Sequence, residues 1–265
     1  MKKGIDISKH NGTIDMKKVK DSGIEFIILQ LGYGKNKSQI DEKFYENYKK
    51  ATELNIPIGV YLYSYALNCN DALQEAKLVI EEIKNLKIEY PIFFDMEDVD
   101  DYKVRNGMPS NQTLVDICET FCTYVENAGY YVGIYASLDW LNNKLNDKKL
   151  DRFDKWVAQW NNKCSYKKEY GMWQYSSTGS IDGISGNVDL DYAIKDYPTI
   201  IKNAGLNKIS SNEVIYIVQA GDNLTKIAKK YNTNWESIYK LNKNAIGNNP
   251  NIIKIGQKLI IKEEK

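Results

Sequence analysis

The residues best suited to chemistry are two acids at the end of one apolar segment, PIFFDMED. The apolar run predicts a buried strand, and Asp95 and Glu97 occupy alternate positions, so their side chains point to one side. Their Cα atoms would be about 7 Å apart, at about 3.3 Å per residue. Carboxyls that close repel each other, so the pKa of one should rise. A protonated acid beside an ionised carboxylate is the pair that glycoside hydrolysis needs.

Two further acids occur in the first and last predicted strands, Asp6 in GIDIS and Asp189 in NVDLD. In a closed barrel these strands are neighbours, so all four acids would meet at the C-terminal face. Burying unpaired carboxylates is costly, which favours a functional site. Two alternatives remain open: Asp6 and Asp189 could cap helices or turns, or the four acids could bind Ca²⁺ or Mg²⁺, although no loop has EF-hand spacing.

The chain has 20 Tyr and 5 Trp but one histidine, His10. Any Ser-His-Asp or Cys-His mechanism would therefore need His10, and a zinc-binding HExxH motif is impossible. Aromatic residues cluster near the strand ends, where rings can stack on sugar faces while polar neighbours bind hydroxyls; packing in the barrel core is the alternative for about half of them. The predicted substrate-binding residues are Tyr33, Tyr61, Tyr63, Trp173, Gln174 and His10.

Apolar, β-branched segments alternate with amphipathic ones over about 195 residues, which predicts a parallel sheet. Eight strands favour an irregular (β/α)8-like barrel, although the segment is shorter than the roughly 250 residues usual for that fold. A doubly wound open sheet is the alternative. Strands are predicted at 4–7, 25–31, 57–65, 91–96, 130–135, 155–160, 172–175 and 187–190, and helices at 14–22, 41–54, 70–87 and 110–128, with shorter ones near 137–144 and 147–152.

The pattern changes after residue 197. Residues 198–213 are mixed in character and become polar, which predicts the tail of a helix and a linker. Residues 214–262 then follow the order strand, helix, helix, strand, so we predict a large domain at 1–197 and a small one at 214–262. The last 52 residues, 214–265, hold nine Lys against four Asp and Glu, a net charge of +5, which leaves −4 for the rest.

Composition excludes several classes of protein. The 36 Lys and Arg nearly balance the 35 Asp and Glu, so a nucleic-acid partner is not expected. No apolar run approaches 18 residues, so membrane insertion is not expected either. The four cysteines form no CxxC pair, which predicts reduced thiols and no metal or cofactor. The start MKKGIDISKHNG lacks the apolar stretch of a signal peptide, so we expect a cytoplasmic protein before any release.

Four motifs in order over residues 1–197 resemble the family 25 glycoside hydrolases, the lysozymes of phage lysins and bacterial autolysins. They are GIDISKHNG, PIFFDMED, YVGIYAS and WQYSSTGSIDGISGNVDLDY. One stretch departs from the family, since the second strand ends QLGYG at residues 30–34, where many members have an Ala-Thr-Glu-Gly-like stretch.

The resemblance implies an irregular barrel and hydrolysis of the β-1,4 bond between N-acetylmuramic acid and N-acetylglucosamine. It implies that Glu97 is the general acid, that Asp95 assists the substrate's acetamido group with retention of configuration, and that Asp6 and Asp189 line the site. A covalent ester on Asp95 is the alternative mechanism. A metal-dependent hydrolase, a glycosidase acting on chitin and a non-catalytic glycan-binding protein are the alternative functions.

Residues 214–262 resemble the LysM module through YIVQAGDNLTKIAKKYNT, IYKLNK and NPNIIKIGQKLII. The resemblance implies binding of peptidoglycan and other N-acetylglucosamine-containing glycans between two loops. A helix cap at Asp222 or Asn223 also explains the motif GDNLT. The residues implied in binding are Gly221, Asp222, Asn223, Leu224 and Thr225 in the first loop, and Asn249, Pro250, Asn251, Ile252 and Ile253 in the second.

Overall fold

The computed structural model describes residues 1–209 and 213–262, and the chain divides into two compact units, Met1–Ile209 and Ser210–Lys265. In the first unit, eight strands form a closed barrel in chain order, which rules out the open doubly wound sheet. The strands are β1 (Lys2–Ile7), β2 (Phe26–Tyr33), β3 (Ile58–Tyr63), β4 (Ile92–Asp95), β5 (Val132–Ser137), β6 (Asp154–Ala158), β7 (Met172–Gly179) and β8 (Val188–Ala193).

All eight predicted strands are present, but the sheet is not entirely parallel. Strands β1 to β7 pair in parallel, whereas β8 is antiparallel to both β7 and β1. Only residues 180–187 join β7 to β8, and a parallel connection needs a crossover of a dozen or more residues. Because β8 runs in reverse, its first residues lie at the edge of the barrel where the other strands end.

The helices surround the barrel and mostly follow the predicted periodicity. The helix predicted at 147–152 is a short 3-10 helix, Lys148–Leu150, and the four-residue helix after β4 was not predicted. The apolar faces of the helices around the barrel pack on the outward residues of the strands, such as Ile27 and Phe94. The helices of this unit are α1 (Met16–Asp21), α2 (Phe44–Glu53), α3 (Cys69–Ile83), α4 (Tyr102–Arg105), α5 (Asn111–Asn127), α6 (Leu138–Asn143) and α7 (Tyr197–Ala204).

Large side chains fill the N-terminal half of the barrel interior, where Phe26, Phe93 and Trp156 form one buried cluster. Glycine on a neighbouring strand makes room for a ring: a Cβ added to Gly4 would lie 2.3 Å from Phe26. Because strand residues alternate between faces, the positions two residues further along these strands also point inward. The inward positions at the opposite end carry the acids and form the site.

Helix α7 belongs to the barrel unit, so the predicted linker at 198–213 begins too early. Tyr197 and Ile201 are fully buried in the cluster of Phe26. The side chain of Asn207 donates to the backbone carbonyls of Ile88 and Tyr90, each at 3.0 Å. These contacts hold the chain against the barrel through residue 209, while residues 210–212 of the predicted linker lie outside the described residues.

The second unit has the predicted order of elements, β9 (Glu213–Ile217), α8 (Leu224–Lys230), α9 (Trp235–Ile246) and β10 (Lys258–Lys262). Strands β9 and β10 are antiparallel. Leu224 and Ile238, one from each helix, pack with Leu259 in a small core. Across both units, the described residues include no helix with the length and apolar character needed to cross a membrane.

Candidate active site

The four predicted acids come together at one end of the barrel. Asp6 on β1 is paired directly with Asp189 on β8, while Asp95 is the last residue of β4 and Glu97 follows two residues later. Closure of the barrel therefore brings together residues far apart in the chain. The cap interpretation does not fit Asp6, whose carboxylate accepts a hydrogen bond from the Gln174 side chain at 2.8 Å.

These acids line a cavity of about 630 Å³. Four predicted substrate-binding residues, Tyr61, Tyr63, Gln174 and His10, line it as well. Residues that sequence reasoning did not assign complete the wall: Ser8, Asn11, Gln30, Val99, Tyr135, Ser137, Trp156, Ala158, Trp160 and Asn187.

The other two predicted substrate-binding residues lie elsewhere. Tyr33, 36% exposed, lines a second cavity of about 440 Å³ that shares His10 and Tyr63 with the first. Trp173 lines neither of these two cavities, so the prediction that its side chain faces the substrate was wrong. Because Gln174 points into the barrel, its neighbour Trp173 points outward, where its indole N–H donates to the carbonyl of Gln159 at 2.8 Å.

Gln174 connects the aromatic wall to Asp6. Its side-chain oxygen accepts hydrogen bonds from the Tyr135 hydroxyl at 3.0 Å and the Trp160 indole N–H at 3.1 Å. Its amide nitrogen donates to Asp6. Since both ends of the amide are bonded, the orientation of Gln174 and hence of the Asp6 carboxyl is fixed.

Burial dominates the electrostatics of Asp95 and Glu97. It raises the pKa of Glu97 to about 7, with Lys103 opposing the rise and Asp189 adding to it. Burial, followed by repulsion from Glu97, also raises the pKa of Asp95 well above its usual value. One buried oxygen of Asp95, Oδ1, has no hydrogen-bond donor among the residues that the structure describes. The pair therefore retains a proton near neutral pH and keeps one acceptor available for a ligand.

A fifth acid, Asp191, was missed from the sequence. It is fully buried beneath the site and accepts a hydrogen bond from the Trp156 indole N–H at 2.8 Å. Burial raises the pKa of Asp191 to about 8. Burial, followed by repulsion from Asp191, also raises the pKa of Asp6 well above its usual value. Burial also raises the pKa of Asp189 to about 6. Asp189 and Asp191 are two residues apart, the spacing that had identified Asp95 and Glu97, so the sequence did carry the signal.

In the second unit, several residues implied in glycan binding also support the loops themselves. Asn223 caps α8 by accepting from the backbone N–H of Lys226 at 2.8 Å, and Asp222 accepts from the Tyr216 hydroxyl at 2.7 Å. Leu224 is buried in the core, whereas Gly221 and Thr225 are exposed. In the other loop, Asn249 accepts from the backbone N–H of Asn251 at 3.0 Å, Ile252 is 57% exposed, and Pro250 and Ile253 are half-buried.

The structure also bears on metal and thiol chemistry. Within the described ranges, no group of three or more His, Cys, Asp or Glu side chains has the arrangement to hold a metal ion. The four cysteines carry free thiols; Cys69 is exposed, and Cys118, Cys122 and Cys164 are buried. The cavity wall itself carries carboxyl, hydroxyl, amide, imidazole and other aromatic groups.

Comparison with known proteins identifies the class of protein that this barrel and its acids define. Residues 5–184 match glycosyl hydrolases family 25, and residues 216–262 match the LysM domain. The chain belongs to glycosyl hydrolases family 25 and carries a LysM domain after its barrel.

Relatives with known names support this placement. An autolytic lysozyme of Clostridium acetobutylicum is 30% identical over 190 residues, which cover 71% of this chain and 55% of that protein. Lysozyme M1 of Streptomyces globisporus is 26% identical over 195 residues, 70% of this chain and 65% of that protein. The present chain thus spans between half and two thirds of the length of these relatives.

The modular autolysin LytC of Streptococcus pneumoniae has a similar solved structure, with a TM-score of 0.65 and 35% identity over 72% of this chain and 46% of that one. LytC has also been solved in complex with a synthetic peptidoglycan ligand. The solved lysozyme of Streptomyces coelicolor, at 23% identity and a TM-score of 0.63, supports the fold alone.

Proposed function

We propose that this protein is a lysozyme that hydrolyses the β-1,4 bond between N-acetylmuramic acid and N-acetylglucosamine in bacterial peptidoglycan. The observation that carries the proposal is the Asp95–Glu97 pair, in which burial raises the pKa of Glu97 to about 7 within a cavity large enough for sugar rings. A general acid works best when its pKa lies near the working pH. Family membership supports the same reaction class, and the named relatives support peptidoglycan as the substrate.

Glu97 acts as the acid and then as the base. In the first step its proton moves to the glycosidic oxygen as the C–O bond breaks and the leaving sugar departs as an alcohol. The Glu97 carboxylate then takes a proton from the water that attacks the anomeric carbon, which restores the acid. Because Asp95 is 3% exposed, charges formed beside it in the reaction are weakly screened by bulk water.

Asp95 acts on the substrate's 2-acetamido group. When the proton of the pair is on Glu97, Asp95 is the anion, and its unpartnered Oδ1 accepts a hydrogen bond from the acetamido N–H. This orients the acetamido oxygen toward the anomeric carbon and stabilises the cyclic intermediate that it forms. Two successive inversions at that carbon retain the β configuration. Asp6 and Asp189 bind substrate at the adjacent wall, with Gln174 holding Asp6 in place.

The second cavity extends the proposed groove for the glycan strand. Tyr33 lies beside Tyr65, with ring centroids 5.1 Å apart, and the Tyr63 and Tyr65 hydroxyls both donate to Asp100. The exposed ring of Tyr33 near a carboxylate suits a sugar, which offers an apolar face and hydroxyl donors. We therefore assign a further sugar of the strand to Tyr33, while His10 borders both cavities.

The LysM domain holds the enzyme on its substrate. Binding of N-acetylglucosamine-containing glycans by the two loops, Gly221–Thr225 and Asn249–Ile253, raises the local concentration of wall polymer for the barrel. The net charge of +5 over residues 214–265 also favours an anionic wall. The proposal applies equally to a bacterial autolysin and a phage endolysin.

The test uses purified sacculi and the full chain. Wild-type protein should release fragments that mass spectrometry identifies as ending in reducing N-acetylmuramic acid, and NMR of fresh product should show the β anomer first. Glu97→Gln should lower the rate by about 10²- to 10⁴-fold, and Asp95→Asn should also lower it. Glu53→Gln, on the exposed side of α2, is the matched control and should cleave like wild type.

Several outcomes would contradict this proposal. An α anomer as first product would reject retention, and substantial cleavage by Glu97→Gln would reject its role as acid. Loss of activity in EDTA that added Mg²⁺ or Ca²⁺ restores would favour a metal-dependent hydrolase. Faster release of reducing ends from chitin than from peptidoglycan would assign a different polymer.

A further inference from the structure

A buried lysine lies directly behind the proposed acid. Lys103, on the short helix α4, has no exposed surface, and its ammonium group donates to the backbone carbonyl of Glu97 at 2.8 Å and to that of Ser64. Burial of an ammonium group is unfavourable unless it is paired and hydrogen-bonded. We infer that Lys103 is a positioning residue for the proposed reaction, fixing the main chain of Glu97 against the end of β3 and supplying positive charge behind Asp95 and Glu97.

The loop after Glu97 is built to place this side chain inward. Asp98 accepts hydrogen bonds from the backbone N–H groups of Lys103 at 2.6 Å and Val104 at 3.0 Å. Asp101, just before α4, adopts the left-handed conformation with φ of 57°. On α4 itself Val104 is 57% exposed while Lys103 is buried. The loop thus orients Lys103 toward the site and turns its apolar neighbour to solvent.

Charged groups from several elements surround the ammonium. Burial lowers the pKa of Lys103, and Asp95 from β4, Glu75 from α3, Asp98 from the loop and, more weakly, Cys118 from α5 raise it. The ring of Tyr63 from β3 has its centroid 5.7 Å from the ammonium. Three carboxyl groups therefore compensate the buried cation.

Glu75 is the counter-ion on the side away from the cavity. It is 1% exposed, and its carboxylate accepts from the Ser64 hydroxyl at 2.9 Å and from the Tyr65 backbone N–H at 2.8 Å. Burial raises its pKa to about 7, opposed by those two hydrogen bonds and by Lys103. Ser64 therefore connects Glu75 and Lys103, since its hydroxyl bonds one and its carbonyl the other.

Lys103 affects the pKa values of both acids in the same direction. Lys103 opposes the rise in the pKa of both Asp95 and Glu97, while Asp189 and Asp100 face Glu97 and act in the opposite direction. Without the cation both pKa values would rise further. Glu97 would keep its proton to higher pH, and Asp95 would lose its proton only at higher pH. In the bell-shaped pH profile of activity, the acid limb reports loss of the Asp95 proton and the alkaline limb loss of the Glu97 proton. Both limbs should therefore move to higher pH.

The experiment measures kcat/KM against pH on soluble glycan fragments with the full chain. Lys103→Met should move both limbs to higher pH by about one pH unit, as expected for loss of a nearby opposite charge. Lys103→Gln keeps a donor for the carbonyls and removes the charge, so it provides a second neutral variant if the first does not fold. Lys103→Arg keeps the charge and should leave the limbs in place while lowering kcat.

The matched control is Lys155 on β6, a second buried lysine, 4% exposed. Its ammonium donates to two backbone carbonyls, those of Leu150 and Phe153, and it lies outside both cavities. Lys155→Met should lower thermal stability and leave the pH profile unchanged.

The inference rests on the proposed function, and the two can fail separately. No cleavage of peptidoglycan by the wild type would overturn the proposed function. Normal cleavage by the wild type, with unmoved limbs in the folded neutral variants of Lys103, would overturn only the positioning role. An equal shift in Lys155→Met would also overturn it, because the effect would then be general to buried lysines.

Discussion

Replacement of Glu97 by Gln should stabilise the protein at alkaline pH while it removes activity. Burial raises the pKa of Glu97 from 4.5 to about 7. The unfolded chain therefore loses the Glu97 proton near pH 4.5, whereas the folded protein retains it to about pH 7. A raised pKa in the folded state makes a favourable contribution below pH 4.5, and this contribution is lost as pH rises through 7. Glutamine mimics the protonated acid and has no proton to lose.

The size of the effect follows from the difference between the two pKa values. That difference corresponds to about 3 kcal/mol at about 1.4 kcal/mol per pH unit. Above pH 7 the wild type should therefore be about 3 kcal/mol less stable than Glu97→Gln, and at pH 4 the two should be nearly equal. For a barrel unit of about 200 residues, 3 kcal/mol corresponds to about 6–12 °C in Tm.

The assay is thermal unfolding of both proteins by calorimetry at pH 4 and pH 8, with the barrel transition assigned from the heat absorbed. Glu53→Gln is the control, because Glu53 is exposed and forms an ion pair with Lys49 at 3.9 Å, far from the cavity acids in the chain. It should change Tm by a similar small amount at both pH values.

Two results would refute the reasoning. If Glu97→Gln raised Tm equally at pH 4 and pH 8, packing rather than ionisation would be responsible. If it lowered Tm at pH 8, the Glu97 anion would be stabilised in the folded protein, and the raised pKa on which the proposed acid depends would be wrong.

Three further predictions concern other parts of the molecule. Tyr33→Ala should raise KM for long glycan strands roughly threefold to tenfold with little change in kcat, whereas Tyr45→Ala, which removes an exposed ring from α2, should leave steady-state kinetics unchanged. Asn207→Ala should lower the free energy of unfolding by about 2–3 kcal/mol, measured by urea denaturation, because it leaves buried carbonyls unbonded; an unchanged midpoint would return residues 198–209 to the linker. Retention on purified walls should weaken between 50 and 500 mM salt, because the Debye length falls from roughly 10 Å to a few Å over this range and charge attraction is screened. A pull-down that does not depend on salt would exclude a role for the +5 charge of residues 214–265.

Local patterns in the sequence were sufficient for most of the fold. Eight strands and most helices follow from hydrophobic periodicity, because each element must bury one face whatever its neighbours are. The direction of β8 did not follow, because periodicity is the same for a strand running either way. The sequence placed most of helix α7 in the linker. The error arose because the buried face of this helix, Tyr197 and Ile201, packs on the floor of the barrel, a surface that exists only after the strands have closed.

The site shows the same division. Asp95 and Glu97 were recognisable because carboxylates at the end of a buried apolar strand are costly to bury, which favours a functional role. Asp6 and Asp189 required the further step that the first and last strands of a barrel are neighbours, and the paired strands β1 and β8 meet that condition. Trp173 was misplaced because its side of β7 depends on the register of that strand, which composition does not reveal.

By itself, the sequence determined the acids available for chemistry, the absence of histidine other than His10, the order of elements and the presence of a second, basic unit. The tertiary structure decided which groups share a cavity and how each ionises. The raised pKa values of Glu97, Asp6 and Asp191 and the cation of Lys103 behind the site all depend on burial and on charges contributed by different elements. Burial and distance are properties of the folded chain, and they turn ordinary carboxyl groups into a candidate acid that holds its proton near neutral pH.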